Sequence, residues 1–400
     1  MKKTTLVFFL LAFISLAAYV SVAAKPYTNR LIEEEYAMAQ TLMQGKNPYQ
    51  HVALQASVAH PYPIVNYLVY IPFVSIIHDP RAVKLTEGIL GWAIGIMIFL
   101  AYKNRREGLA RALLYWGTYH FYIAFARFSI TEPAMLFFTI LGLLLLTKKH
   151  VSFGLSGILA ATFTKYVPAV VFPFLFISQP KLRRPIIVTL VVTLCIVITL
   201  TIANPWFVAS IMAHSSASGQ ALRLDNISLF SSSFLPISKY PLLEKILPVA
   251  MGLGFLSMIL FLLAKIRTSQ LPILASYLFP VSAWLIFPPN NFLWGNFYFW
   301  NSIVLLLVPY PWAIRMYIFY LVPEYLLKAG NIYPYPTRSI LYGATYLTGA
   351  LASICVIKNS IIRPTGDTHT SRTMIFMFFF IQALFILLIG LLRKNIFWFI

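Results

Sequence analysis

The chain reads as an all-α polytopic membrane protein with about 11 to 13 crossing helices, and three observations carry that reading. Of its 400 residues 60% are hydrophobic and only 10% are charged, against about 25% charged in soluble domains. Its apolar segments are not separated by the long polar surfaces that a soluble protein with one large core would need. The Lys and Arg residues behind the net charge of +20 cluster in short loops, where they set topology, instead of forming the amphipathic stripe of a nucleic-acid binder. A nucleic-acid partner is therefore not expected.

At the N-terminus, MKKTTLVFFLLAFISLAAYVSVAAK joins a basic start to about 20 apolar residues, enough to cross a bilayer. It also resembles a signal peptide, but its full-span length favours a retained first helix. Apolar stretches then occupy 84–102, 109–127, 132–147, 152–164, 167–178, 184–203, 246–264, 271–288, 293–310, 312–327, 339–357 and 373–392. The basic clusters KNRREGLAR (103–111), TKKH (147–150), QPKLRR (179–184), KIR (265–267) and VIKNSIIR (356–363) all share the cytoplasmic side with Lys2 and Lys3 on one condition. The stretch YPIVNYLVYIPFVSIIH (62–78) must not cross. Its prolines, tyrosines and Asn predict a helix lying in the outer interface. Residues 25–83 then form a first extracytoplasmic loop with interfacial helices, 204–245 a second and 288–296 a third, all within one integral-membrane domain spanning 1–400.

Cys195 and Cys355 lie inside apolar stretches and behave as small hydrophobes. The histidines are scattered, and no His or Asp spacing forms a metal site. No cofactor is called for, although a divalent metal is not excluded by the residues.

Three of the 11 acidic residues stand together, Glu33, Glu34 and Glu35, in LIEEEYAMAQTLMQGKNPYQ (31–50). On a helix from Ile32 to Met43, Tyr36, Ala39 and Leu42 or Met43 share a face, and Glu33 lies one turn before Tyr36 on that side. One reading is an acidic helix start complementing the macrodipole, worth ~0.3–1 kcal/mol per charge. The other comes from the residues beyond the helix. Gly45 ends it, and NPY (47–49) turns the chain toward HPYP (60–63).

This sequence of features, a carboxylate, Tyr36, a small-residue helix, GKNPY and a Pro-Tyr-Pro entry, resembles the first outer loop of the C-type integral-membrane glycosyltransferases. Those enzymes take sugars from polyprenyl-phosphate carriers. The chain looks closest to glycosyltransferase family 87, the mannosyltransferase-like group. SGILAATFTKYVPAVVFPFLF (156–176) is similar to the family's small-residue helix ending in Lys, two residues and Pro. RLDNISLFSSSFL (223–235) looks like its Asn-x-Ser-leucine loop, and FPVSAWLIF (279–287) like its Pro-x-Ser-x-Trp helix end. Residues 310–400 carry no match.

The resemblance implies the C-type fold and a transfer of a hexose, mannose foremost, from a polyprenyl-phosphate donor to a hydroxyl of a lipid or glycan acceptor on the non-cytoplasmic face. The family's usual Asp is replaced by one of Glu33, Glu34 and Glu35, which would act as base, with Glu33 the first choice by its spacing to Tyr36 and Glu34 next. Lys165, Arg127 and Arg223 would hold the donor phosphate. Tyr36, Glu132, Asn226, Ser228 and Trp284 would contact substrate. Each has a plainer reading: Lys165 snorkelling to the interface, Arg127 paired with Glu132, Asn226 and Ser228 as an N-glycosylation acceptor, and Trp284 as an interface anchor. A single displacement inverts the anomeric configuration. Two other classes stay open: a flippase or transporter of lipid-linked sugars, and a non-catalytic membrane assembly subunit.

Overall fold

The structure, a computed structural model, describes residues 2–26, 30–50, 62–126, 132–165, 167–210, 241–267, 273–286 and 302–330, and part of 344–358. Among the described residues there is no strand. This is what an apolar solvent dictates, since a helix satisfies its own backbone polar groups. Among the described residues the α-helices include α1 (Lys2–Ala23), α2 (Arg30–Met43), α3 (Ile64–Leu68), α4 (Ile71–Ile77), α5 (Arg81–Ala101), α6 (Arg105–Ala126), α7 (Glu132–Thr147), α8 (Val151–Thr162), α9 (Val171–Ser178), α10 (Arg183–Ala203), α11 (Pro241–Arg267), α12 (Ile273–Ile286) and α13 (Pro311–Gly330).

Among the described residues three helical segments are long and apolar enough to cross a membrane: Lys3–Ala23, Arg81–Ala101 and Pro180–Ala203. Large side chains on the first and last of these, among them Leu6, Phe9, Phe13, Ile187, Val191 and Leu194, are exposed, as lipid-facing surfaces are. The chain is thus a helical, membrane-associated protein. Several of the stretches expected to cross are shorter than a span. With 12 residues, α8 is about 18 Å long, against a hydrocarbon core of roughly 30 Å. The stretch 373–392 lies outside the described residues.

The chain forms two compact units, one of residues 1–172 with 180–220, the other of 173–179 with 221–400. In the first, α1, α5 and α6 are bound by aromatic groups that donate into facing backbone. Tyr19 OH donates to Lys84 O (2.6 Å), Trp92 Nε1 to Ala12 O (3.0 Å) and Trp116 Nε1 to Trp92 O (3.0 Å). Phe8 stacks on Phe99 at 3.7 Å between ring centres. Gly88 makes room for Tyr19, because a Cβ there would fall 0.8 Å from the phenol oxygen. Likewise α7 and α8 meet along Gly142, Gly154 and Gly157; a Cβ on Gly142 would lie 2.7 Å from Gly154 O. Such backbone approach is how helices associate in lipid.

In the stretch 62–78 the chain makes two short helices, since Pro63 stands before α3 and Pro72 occupies the first turn of α4. Neither can cross. Ile32 and Ala39 of α2 pack with Tyr70 just before α4, Val74 of α4, and Ala82 and Val83 of α5, while Met38 packs with Tyr49 and Tyr67. Gly45, at φ +69°, ends α2 in the left-handed conformation that favours glycine. Asn47 and Asn204 then exchange side-chain hydrogen bonds of 2.7 and 3.2 Å, tying this layer to the end of α10.

In the second unit Phe174, Leu262, Phe279, Ala283, Ile286 and Ile357 form a core. Ser178 and Ser276 share a 2.9 Å hydrogen bond, and Tyr320 and Ser353 one of 2.7 Å.

Candidate active site

The buried stripe of α2 reads Ile32, Glu35, Met38, Ala39, the spacing of one helix face. Glu35 is the polar member of that stripe, and burying it demands a partner. Asn66 of α3 supplies one, donating from Nδ2 to Glu35 Oε2 at 2.6 Å. Burial holds the Glu35 carboxyl well above the usual carboxylate range; Lys165 pulls against that rise, while Glu87 and Glu34 add to it.

Two further carboxylates and a cation lie buried in the same unit. Glu87, in the second turn of α5, accepts a hydrogen bond from Tyr70 OH and another from the backbone N–H of Ala134 in the first turn of α7 (2.9 Å). Lys165 stands just past the end of α8. Its Nζ donates to Glu132 Oε1 at 2.8 Å and lies 4.9 Å from the centre of the Tyr62 ring, a cation–π distance. The starts of α5 and α7 and the end of α8 therefore share one level, and the basic loops at 102–104 and 147–150 lie at the other ends of these helices. Tyr62 N–H donates to Tyr67 OH (3.1 Å), and Tyr49 OH to Tyr62 O (3.2 Å). Burial pushes the Tyr67 and Tyr70 phenols well up, so both remain neutral hydrogen-bonding groups.

The result is a buried set of Glu35, Glu87, Glu132 and Lys165, each residue at most 8% exposed, with three carboxyls to one ammonium. Such a set can take a proton from a ligand hydroxyl at a carboxyl and offer one fixed positive charge to an anion. No group of three or more His, Cys, Asp or Glu among the described residues forms a metal site.

Against known proteins, the chain finds no match among family descriptions, curated proteins or solved structures.

The residues singled out in the sequence divide. Glu33 is exposed and Glu34 half-buried, leaving Glu35 as the member of the trio inside. Tyr36 is half-buried, packs at the α2–α4 layer and accepts from Gln40 Nε2 at 2.6 Å. Glu132 and Lys165 are brought together, Lys165 Nζ donating to Glu132; the alternative pairing of Glu132 with Arg127 falls outside the described residues. Arg127, Arg223, Asn226 and Ser228 lie outside the described residues, as does the side chain of Trp284 on α12. Sequence reasoning missed Asn66, Tyr62, Tyr67, Tyr70 and Glu87. The signal for Glu87 was present: a carboxylate inside the apolar run AVKLTEGILGWAIGI (82–96) is a functional candidate by default.

Proposed function

We propose that the chain is a glycosyltransferase that moves a hexose, mannose foremost, from a polyprenyl-phosphate carrier to an acceptor hydroxyl on the non-cytoplasmic face. The observation that carries the reading is a buried carboxyl, Glu35, oriented by Asn66, in the same buried set as a buried ammonium, Lys165. The resemblance of residues 33–287 to the C-type enzymes supports it and suggests their fold.

In the reaction the acceptor oxygen bonds to the anomeric carbon as the bond from that carbon to the phosphate oxygen breaks. The electron pair of the broken bond leaves on the phosphate, and the acceptor proton passes to Glu35. Burial raises the affinity of the Glu35 carboxyl for a proton, the direction a general base needs. Lys165 meets the departing phosphate, exchanging Glu132 for the new anion. One displacement inverts the configuration, and the phosphate leaves without the second, acid carboxyl that flanks the bond in the two-carboxylate hydrolases. Glu35 takes the role in place of Glu33 because a base needs a fixed orientation and shelter from water, and Glu33 is exposed.

The test is turnover. Full-length protein in detergent, loaded with polyprenyl-phosphate mannose, should release polyprenyl phosphate when a lipid and glycan extract is added. Movement of the intact donor across vesicles without bond cleavage would instead make the protein a transporter.

A further inference from the structure

Asn66 offers more than support for a base. It lies wholly buried in α3, with its Nδ2 committed to Glu35. A primary amide also carries an acceptor oxygen, and among the described residues Asn66 Oδ1 is buried and accepts no hydrogen bond. The same holds for Glu132 Oε2, the half of that carboxyl that Lys165 does not hold. Buried acceptors without donors are costly and rare. Idle acceptors beside carboxyls suit a ligand rich in O–H donors.

The Glu35 carboxyl and Asn66 Oδ1, joined through one hydrogen bond, are neighbouring acceptors. Two hydroxyls on adjacent carbons fit such a pair, one donating to Glu35 and the other to Asn66 Oδ1, each at ~2.7 Å. We infer that the acceptor is a vicinal diol and that Asn66 reads the hydroxyl next to the one that reacts. The inference rests on the transfer reading above. The hydroxyl held by Glu35 loses its proton to that carboxyl as its oxygen bonds to the anomeric carbon and the phosphate leaves with the electron pair; the hydroxyl held by Asn66 keeps its proton. Sugars, cyclitols and glycerol groups belong to this acceptor class. Isolated hydroxyls, such as those of Ser and Thr side chains, do not.

Full-length protein with polyprenyl-phosphate mannose and a membrane lipid and glycan extract tests this in two arms. Periodate, which cleaves adjacent diols and spares isolated hydroxyls, should abolish the extract's ability to stimulate polyprenyl phosphate release. Asn66→Ala loosens Glu35 in every reaction and so slows hydrolysis of the donor by water as well as transfer. Loss of the diol contact falls on transfer alone, so the ratio of transfer to hydrolysis should drop about tenfold, the size of one hydrogen bond at a buried site. An unchanged ratio, with Oδ1 holding only a structural water, overturns the diol assignment and leaves the transfer reading standing. So does a periodate-treated extract that still stimulates release. If the unmodified protein releases no polyprenyl phosphate under any condition, the transfer reading falls and takes the diol assignment with it.

Discussion

Asn66 donates to Glu35 across 31 residues of sequence, at 2.6 Å and out of contact with solvent. That single bond separates Glu35 from its two acidic neighbours, because it fixes a carboxyl that helix geometry has already turned inward.

The first prediction concerns that separation. Glu35→Gln keeps the shape and the acceptor for Asn66 but removes the base, and should lower polyprenyl phosphate release by at least ~10²-fold. Glu33→Gln should stay near the unmodified rate. Equal losses in the two variants would return the trio to a helix-end charge.

The same substitution should alter stability with a definite sign. A carboxyl whose pKa is raised on folding binds more protons folded than unfolded. Its contribution is therefore most favourable below the unfolded value, about 4.3, and is lost as pH climbs through the folded one. Burial raises Glu35, so Glu35→Gln should unfold at higher temperature than the unmodified protein, with a gap that widens from about pH 4 upward. Thermal unfolding in detergent across that range measures it, and a gap that narrows with pH would contradict the assignment.

Lys165 and Glu132 make a second double test. Lys165→Met leaves Glu132 buried and unpaired, at a cost of about 3–5 kcal/mol. Adding Glu132→Leu should recover most of that stability without recovering donor affinity, which a titration with polyprenyl phosphate would read. Recovery of both would mean the pair is only structural.

Helix packing gives a prediction free of any functional reading. Gly142→Ala would drive a Cβ to 2.7 Å from Gly154 O and 2.8 Å from the Ile158 nitrogen, and should destabilise by about 1–3 kcal/mol. Gly252→Ala meets nothing within 4 Å and should stabilise α11 by about 0.5–1 kcal/mol. Unfolding midpoints of the two variants should move in opposite directions.

Sidedness is testable through Gln50 and Asn104, both exposed. Single cysteines at these positions, with Cys195 and Cys355 replaced by Ala, should label from opposite faces of sealed vesicles. Labelling of both from one face would break the topology.

Much of this was legible in the chain, and where it was not the reason is physical. Apolar runs and basic loops place helix ends to within a few residues, as 132–147 and 183–203 show, because a run of apolar residues bounded by charges has few ways to fold in lipid. The stretch 62–78 was expected as one helix in the interface; Pro72, in the first turn of α4, goes with its division into α3 and α4. Glu35 was readable too: Ile32, Ala39 and Leu42 mark an apolar stripe on which it falls, but the spacing to Tyr36 drew attention to Glu33 instead. The pairing of Lys165 with Glu132 was not readable, since 33 residues separate them and nothing local in either segment specifies the other. Asn66 sat in a stretch whose prolines, tyrosines and Asn read together as a helix lying in the interface, so it was not singled out.

The glycine seam between α7 and α8 has a consequence for two buried charges. At 16 and 12 residues, each helix is short for the roughly 30 Å of a hydrocarbon core; Glu132 opens α7 and Lys165 stands just past the end of α8. Joined by the turn at Lys148–His150, where Lys149 takes a φ of 67°, and closed along Gly142, Gly154 and Gly157, they form one helical hairpin. That hairpin holds Lys165 against Glu132 at 2.8 Å, so the ammonium and the carboxyl are buried as a pair instead of singly.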